Sequence, residues 1–350
     1  MNTLLLGIAG SGKTHECIRR AGECLARGEN VLYLVPNGEE AALVRARLLQ
    51  ASGRRAAFLP GILTLGALVR RSLEAANPQA AFRGTLQRRL ALAQLLADHR
   101  GKLGNLEESA ATSGFPEVLD RLFSELIEGQ LSPADLRALP GPRPAALADL
   151  FQAYLASQSG SEIFDPAPAM DRAAEALEVN PQLMPPADLL IIDGFSNLSP
   201  LQLRLVEVLM LRATTTLFSL CLDPNDLDDA PRSPFERLHR LAVQFANRGS
   251  WQLEALSATP RFKRDFPALL ARKLFRNLPG EAMSEVPEEL SLLEAASRRD
   301  EAEAIARELR LLLANGIDAG RLAVLYRDAD LGDILASTFQ RAGLPFTNSP

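Results

Sequence analysis

Histidine, cysteine and lysine are all scarce in this 350-residue chain, and each scarcity removes a class of chemistry. The three histidines, His15, His99 and His239, are scattered, and nothing has the spacing of a metal-ligand set, so neither a zinc nor an iron-sulfur site is written here. Cys17 and Cys24 fall seven apart on the first expected helix, which separates their Cα atoms by roughly 10 Å along the axis, too far for a disulfide. Cys221 is isolated, and all three thiols read as reduced and structural. No apolar run reaches the about 18 residues a membrane helix needs, and the chain opens at once on a strand, which leaves no room for a signal peptide. A cytoplasmic protein without membrane contact is the expectation.

The net charge of -5 argues against a free-standing, salt-driven nucleic-acid binder, although a local basic groove stays open. Nearly all cations are arginine, with lysine only at Lys13, Lys102, Lys263 and Lys273. At this length two domains, or one with a large insertion, are expected.

What is present is concentrated near the start. Gly7-Ile8-Ala9-Gly10-Ser11-Gly12-Lys13-Thr14 is a complete G-x-x-x-x-G-K-[ST] loop, and it follows the apolar run Leu4-Leu5-Leu6. Glycines let backbone N–H groups curl around phosphates, Lys13 supplies a point charge between the β- and γ-phosphates, and the Thr14 hydroxyl can ligate Mg²⁺. Gly7, Gly10, Ser11, Gly12, Lys13 and Thr14 are therefore the candidate ligands of ATP, with Mg²⁺ at Thr14. His15 reads as a polar first-turn residue.

Strands separated by helical stretches recur at Leu4–Gly7, Val31–Val35, Leu189–Ile192, Leu217–Leu222, Trp251–Leu256, Leu290–Glu294 and Leu322–Tyr326. This is the pattern of a parallel α/β sheet, and with the loop it predicts a P-loop NTPase of RecA-like type. Between about Ala67 and Asn180 helical spacing takes over, at Leu86–Leu96, Phe115–Ile127, Ala134–Leu139 and Ala145–Leu155, with no convincing strand. The expected organisation is a RecA-like domain at 1–66 and 181–276, a helical insertion at 67–180, a linker at 277–289, and the incomplete beginning of a second RecA-like domain at 290–350. Ser132-Pro133, Ser199-Pro200 and Ser233-Pro234, each with an acceptor two residues on, mark helix starts. Pro140–Pro144 reads as a connector.

A phosphate loop needs an acidic Mg²⁺ partner at the end of a neighbouring buried strand, and Leu189-Leu190-Ile191-Ile192-Asp193 supplies Asp193. In hydrolysing motors the next residue is usually a glutamate that activates water; here it is Gly194. Without that base, worth typically about 10²- to 10⁴-fold, binding with weak or no turnover is the expectation. Asp223 is the one obvious substitute acid.

Asp193-Gly194-Phe195-Ser196-Asn197-Leu198-Ser199-Pro200-Leu201-Gln202 aligns without gaps on the D-E-[FY]-Q-D-T-N-x-x-Q motif of superfamily 1 helicases, with Asp193, Phe195 and Gln202 matching. Gln202 has a second reading, as partner of Ser199 in a capping box. The I-D-G-F departure after a helical insertion resembles the AddB-type (RexB-type) component of AddAB-type helicase-nucleases, whose N-terminal half is a degenerate helicase. Val31–Pro36 resembles the entry to helicase motif Ia, and Leu63-Thr64-Leu65 resembles motif Ib. Phe115–Glu128 with Leu131-Ser132-Pro133, and Phe164-Asp165, resemble the insertion. Leu220-Cys221-Leu222-Asp223-Pro224 resembles the segment after the Asp193 block, and Leu322–Arg327 the opening of the second motor-like domain.

The resemblance implies an ATP-binding region that acts with an AddA-type helicase-nuclease subunit on double-stranded DNA ends and single-stranded DNA in recombinational repair. It also implies that Arg327, after the expected strand of the second domain, reaches the γ-phosphate. The family's nuclease motif and four-cysteine iron-sulfur site have no counterpart in these residues. Thr64, Arg83, Arg88 and Arg89 are the positions where DNA contact would run. The alternatives are an active DNA helicase or translocase, and a P-loop kinase or small-molecule ATPase.

Overall fold

Runs of consecutive apolar residues make strands that are buried on both faces, and such strands pair in parallel beneath two helical layers. In the computed structural model, residues 2–51, 59–159, 161–184, 186–227, 235–257, 261, 266–267, 269–270 and 290–347 are described. β1 (Asn2–Gly7) leads into α1 (Lys13–Ala26), β2 (Val31–Val35) into α2 (Gly38–Ala51), and β3 (Ile62–Thr64) into α3 (Leu65–Ala76). Then come β4 (Ala81–Phe82), α4 (Thr85–Asp98), α5 (Glu107–Ala110), α6 (Phe115–Glu128), α7 (Pro133–Arg137), α8 (Pro142–Gln158), β5 (Ile163–Phe164) and α9 (Pro166–Val179). The chain returns through β6 (Ala187–Ile192), α10 (Pro200–Met210), β7 (Ala213–Cys221), α11 (Glu236–Ala246) and β8 (Trp251–Leu256).

Among the described residues the large sheet has the order β3-β2-β6-β7-β1-β8, and every strand pair in it is parallel. The strand period of two divides the apolar runs between its faces. Leu4, Leu6, Leu32, Leu34, Leu190 and Ile192 join one core with residues of α3, α9, α10 and α11. Their neighbours Leu5, Tyr33, Val35, Leu189 and Ile191 join a second core under α1 and α2.

Helices α4 to α8 enclose a core of their own around Leu92, Leu119, Phe123, Phe151 and Tyr154. Phe123 lies 5.2 Å from both the Phe151 and Tyr154 rings, centroid to centroid. The Tyr154 hydroxyl donates to buried Asp165 at 2.7 Å, which gives a phenol inside an apolar core its required partner. Leu201 of α10 also enters this core, so the helical layer is anchored to the sheet unit.

Several expectations are corrected. The helical stretch does contain a parallel strand pair, Ala81↔Ile163 and Phe82↔Phe164; two residues are too few to show a period. The Pro140–Pro144 connector is partly helical, because α8 starts at Pro142 behind Gly141, whose φ of 105° only glycine adopts readily. β7 begins at Ala213, and its polar β-branched start, Thr214 to Thr216, hid four strand residues. Ser132 and Ser199 each close a capping box, with Asp135 and Gln202. Ser233 and Pro234, and the linker expected at 277–289, lie outside the described residues.

The chain divides into two compact units, Met1–Leu278 and Pro279–Pro350. In the second, the helices Arg298–Ala314 and Ala329–Arg341 pack through Ala302, Ala306, Leu335 and Phe339. Neither expected strand in this unit has a ladder among the described residues. Leu322, Val324 and Tyr326 are half-buried while Leu325 is 95% exposed, so the apolar run that suggested a strand packs on one side only. An extended segment becomes a strand only where partner N–H and C=O groups meet it.

Phe123 is 1% exposed and touches two rings, so Phe123→Ala should cost about 3–5 kcal/mol, read as a lowered urea midpoint by far-UV circular dichroism.

Candidate functional site

The site is built where the strands end. β1 is buried through Leu4, Leu5 and Leu6, and the chain turns at Gly7 against the end of β8. A Cβ at Gly7 would displace the Ser11 hydroxyl and lie 3.1 Å from the Leu256 carbonyl oxygen, so a side chain there would crowd the loop. Gly10 (φ 81°) and Gly12 (φ 94°) are left-handed, which folds the loop back onto the start of α1. Gly12 caps α1 without a side chain, so the helix's first N–H groups are left for another acceptor.

Lys13 Nζ donates to the Gly7 and Ile8 carbonyl oxygens at 2.8 and 2.9 Å and so spans the loop's mouth. Burial lowers its pKa, while the neighbouring Cys221 sulfur and Asp193 carboxylate push the other way. Ser11 Oγ is buried and has no hydrogen-bond partner, an orphaned polar atom inside the loop. Thr14 is half-buried on the first turn of α1, and His15 is exposed.

Asp193 follows β6 and is only 3% exposed. Its Oδ2 accepts from the Tyr33 hydroxyl of β2 at 2.8 Å, and its Oδ1 accepts from the Ser219 hydroxyl of β7. Burial first, then the adjacent Cys17 and Asp193, push the Tyr33 phenol far above its ordinary range and keep it a proton donor. Burial likewise pushes the Cys17 thiol up, which makes it inert. The strand carrying Asp193 is not the neighbour of β1: β7 stands between them. Asp193 still meets Lys13 electrostatically, because both leave the carboxyl ends of parallel strands.

Gly194 has φ 83°, and a Cβ there would lie 2.6 Å from Glu40 Oε2 and 3.3 Å from Pro36 Cδ. The backbone conformation disfavours a side chain at this position, and one placed there would have to move the end of Glu40 aside. Sequence reasoning missed Glu40; a glutamate on a first helical turn carries no local signal that it faces another strand's end. Asp223, the expected substitute acid, spends Oδ1 on Asn225 N and Nδ2, each at 3.0 Å, inside its own turn.

Other candidates have local partners. Gln202 Oε1 accepts from Ser199 N at 3.1 Å, which makes its capping-box reading the observed one. Thr64 caps α3 by accepting from Ala67 N at 3.1 Å. Arg88 pairs with Asp120 at 3.0 Å, Arg89 with Glu117 at 3.0 Å and Arg83 with Asp165 at 3.5 Å. Arg327 is an exposed residue of the second unit.

Among the described residues no three of His, Cys, Asp and Glu gather into a metal cage. Mg²⁺ does not require one: it keeps waters and takes one or two protein oxygens beside phosphate. Asp193, whose oxygens each retain a lone pair after one accepted bond, and Thr14 fit that donor set. Among the described residues no helix is long and apolar enough to cross a membrane.

Residues 4–248 match the family model for the N-terminal region of ADDB. The chain is 30% identical, over 97% of its length, to the B-type subunit of the ATP-dependent helicase/deoxyribonuclease of Desulforudis audaxviator (strain MP104C), of which it covers 31%. It is 29% identical, over 98% of its length, to the same component from Moorella thermoacetica (strain ATCC 39073 / JCM 9320), of which it covers 32%. The match to the corresponding protein of Bacillus velezensis (strain DSM 23117 / BGSC 10A6 / LMG 26770 / FZB42) is 23% identical over 98% of the chain. The chain thus spans about a third of the length of the curated relatives it matches.

The Tyr33 to Asp193 bond joins two strands inside the core, so Tyr33→Phe should lower stability by about 1–3 kcal/mol, measured as a reduced urea midpoint.

Proposed function

The chain belongs to the ADDB N-terminal family, and from that premise we propose that its first unit is a RecA-like P-loop domain that binds Mg²⁺-ATP within an AddB-type protein. One observation carries the reading. The loop from Gly7 to Thr14 and the buried Asp193 converge at the carboxyl ends of one parallel sheet, with Lys13 close enough to feel the Asp193 charge.

Each residue has a task that its surroundings support. The left-handed glycines and the uncapped start of α1 offer N–H groups to phosphate oxygens, and Ser11 Oγ stands ready as an unspent polar atom. Lys13 holds two backbone carbonyls, bonds it would exchange for the stronger charge-assisted contacts of a phosphate. Thr14 and Asp193 would hold Mg²⁺, which when bound neutralises phosphate charge. Tyr33 and Ser219 orient the Asp193 carboxylate toward that task. Position 194 contributes no carboxylate, so water activation does not come from the place where helicases usually carry it.

In the whole protein we take residues 67–180 as a helical insertion and 290–350 as the start of a second RecA-like domain. The relatives are named as subunits of an ATP-dependent helicase/deoxyribonuclease. The natural partner would be an AddA-type helicase-nuclease, and the substrate double-stranded DNA ends with the single strands drawn from them. With Arg83, Arg88 and Arg89 committed to carboxylates, the insertion favours a scaffolding role over a salt-driven grip on DNA.

A titration with a fluorescent ATP analogue and Mg²⁺ tests the reading. Saturable binding should disappear in Lys13→Ala and weaken when EDTA removes the metal. At about a hundredfold excess over Kd, ATP should add about 2.7 kcal/mol to stability and raise the Tm of the parent protein but not of the variant. Equal behaviour of the two proteins would sink the proposal.

A further inference from the structure

We propose that Cys221 is a thiol modification site at the rim of the phosphate loop, and that a mixed disulfide formed there with a small disulfide closes the loop to nucleotide. The effect on nucleotide rests on the binding reading above, whereas the accessibility of the thiol does not.

The three thiols of the chain have different settings. Cys17 and Cys24 are buried, Cys17 between α1 and the sheet, and Cys24 with its Sγ donating to Glu29 at 2.9 Å. Cys221 is half-buried and ends β7, the strand between the one that leads into the loop and the one that carries Asp193. Its place is fixed on both sides. Leu220 pairs with Leu6 near the end of β1, and Leu222 bridges Gly7, the first residue of the loop, so the backbone of Cys221 is pinned opposite the point where the loop begins.

Gly7 is also where the groups of the loop gather. Its carbonyl oxygen accepts from Lys13 Nζ at 2.8 Å, and the Ser11 hydroxyl takes the space that its missing side chain leaves. That hydroxyl is 5% exposed and has no hydrogen-bond partner, an unspent polar group inside a loop whose helix start is also uncapped by any side chain. The Cys221 sulfur is a hydrogen-bond neighbour of the Lys13 ammonium. Of the three thiols, the one that reaches the surface is therefore the one beside the lysine of the loop.

The step is thiol–disulfide exchange. The Cys221 thiol gives its proton to solvent and its sulfur attacks one sulfur of the small disulfide; the new S–S bond forms as the old one breaks, and the departing thiolate carries off the electron pair and takes up a proton. The protein sulfur is oxidised and the released thiol is the reduced product, so the disulfide is the only oxidant. With glutathione disulfide as the reagent, the attached peptide brings carboxylates to Lys13. Its bulk covers the loop, and its carboxylates compete for the ammonium that phosphates would use. A reducing thiol reverses the exchange.

The reduced chain should be treated with glutathione disulfide and followed by intact mass and peptide mapping, with a titration by a fluorescent ATP analogue and Mg²⁺ before treatment, after it, and after dithiothreitol. Cys221 should gain a glutathionyl group, while Cys17 and Cys24 stay free until urea unfolds the chain. The adduct should bind nucleotide about tenfold or more weakly with an unchanged far-UV circular dichroism spectrum, and dithiothreitol should restore the parent Kd. ATP at about a hundredfold excess over Kd should slow adduct formation about 100-fold, because only the empty site reacts. Cys221→Ser should bind equally before and after treatment. An adduct at Cys221 that leaves Kd unchanged, a Cys221 that reacts only once the chain is unfolded, or an equal loss of binding in treated Cys221→Ser would overturn the proposal and leave the binding reading intact. A reduced parent that does not bind would overturn the binding reading and with it the switch, whether or not Cys221 reacts.

Discussion

The first unit is organised around one buried carboxylate. Asp193 sits at the carboxyl end of β6 and accepts hydrogen bonds from Tyr33 on β2 and Ser219 on β7, so it ties together the ends of three adjacent strands. A carboxylate this deeply buried is costly unless its oxygens are satisfied, and here each has a hydroxyl donor. Lys13 faces it from the end of the loop after β1, on the far side of β7. The polar cluster therefore fixes how the strand ends are staggered, and the stagger decides which side chains meet at the sheet's rim.

The apolar architecture serves that rim. Alternating residues of β1, β2 and β6 fill two cores, one on each face of the sheet, and leave the strand ends as the place where polar groups can gather. The helical layer adds stability without adding donors to the site. Its core of Phe123, Phe151 and Tyr154 is separate, and Arg88, Arg89 and Arg83 are matched to Asp120, Glu117 and Asp165. Arg204 of α10 reaches Asp171 and Glu178 on α9 at 2.9 and 2.8 Å, so two helices that cover the sheet are also held together by charge. Exposed pairs of this kind contribute little each and act mainly on register.

What could be read from residues alone followed how local the cause was. The phosphate-type loop is contiguous, and its glycines, Lys13 and Thr14 each have a chemical reason that needs no fold. The apolar runs of β1, β2 and β6 are equally local, as are the Ser132 and Ser199 caps. Strand order is not: nothing in the runs reveals that β7 separates β1 from β6. The two-residue pair β4 and β5 is below the length at which a period exists. Gln202 shows the opposite failure, where a motif match and a capping box predict the same residue and only the bond to Ser199 N separates them. The apolar run at Leu322–Tyr326 was a true sign of burial on one side and a false sign of pairing among the described residues.

Gly194 and Glu40 show how a departure from a motif is accommodated at the strand ends. The left-handed φ of Gly194 suits a residue without a side chain, and the carboxylate of Glu40, which rises from α2 directly after β2, lies beside it. A side chain at 194 would have to adopt that backbone and move the end of Glu40 aside, so the two positions are coupled through packing. Asn37 caps α2 by accepting from Glu40 N without a reciprocal bond from Glu40, a loss that is small because a capping side chain contributes about 1 kcal/mol. The polar composition of this rim therefore depends on how two elements pack and not on the residue after Asp193 alone.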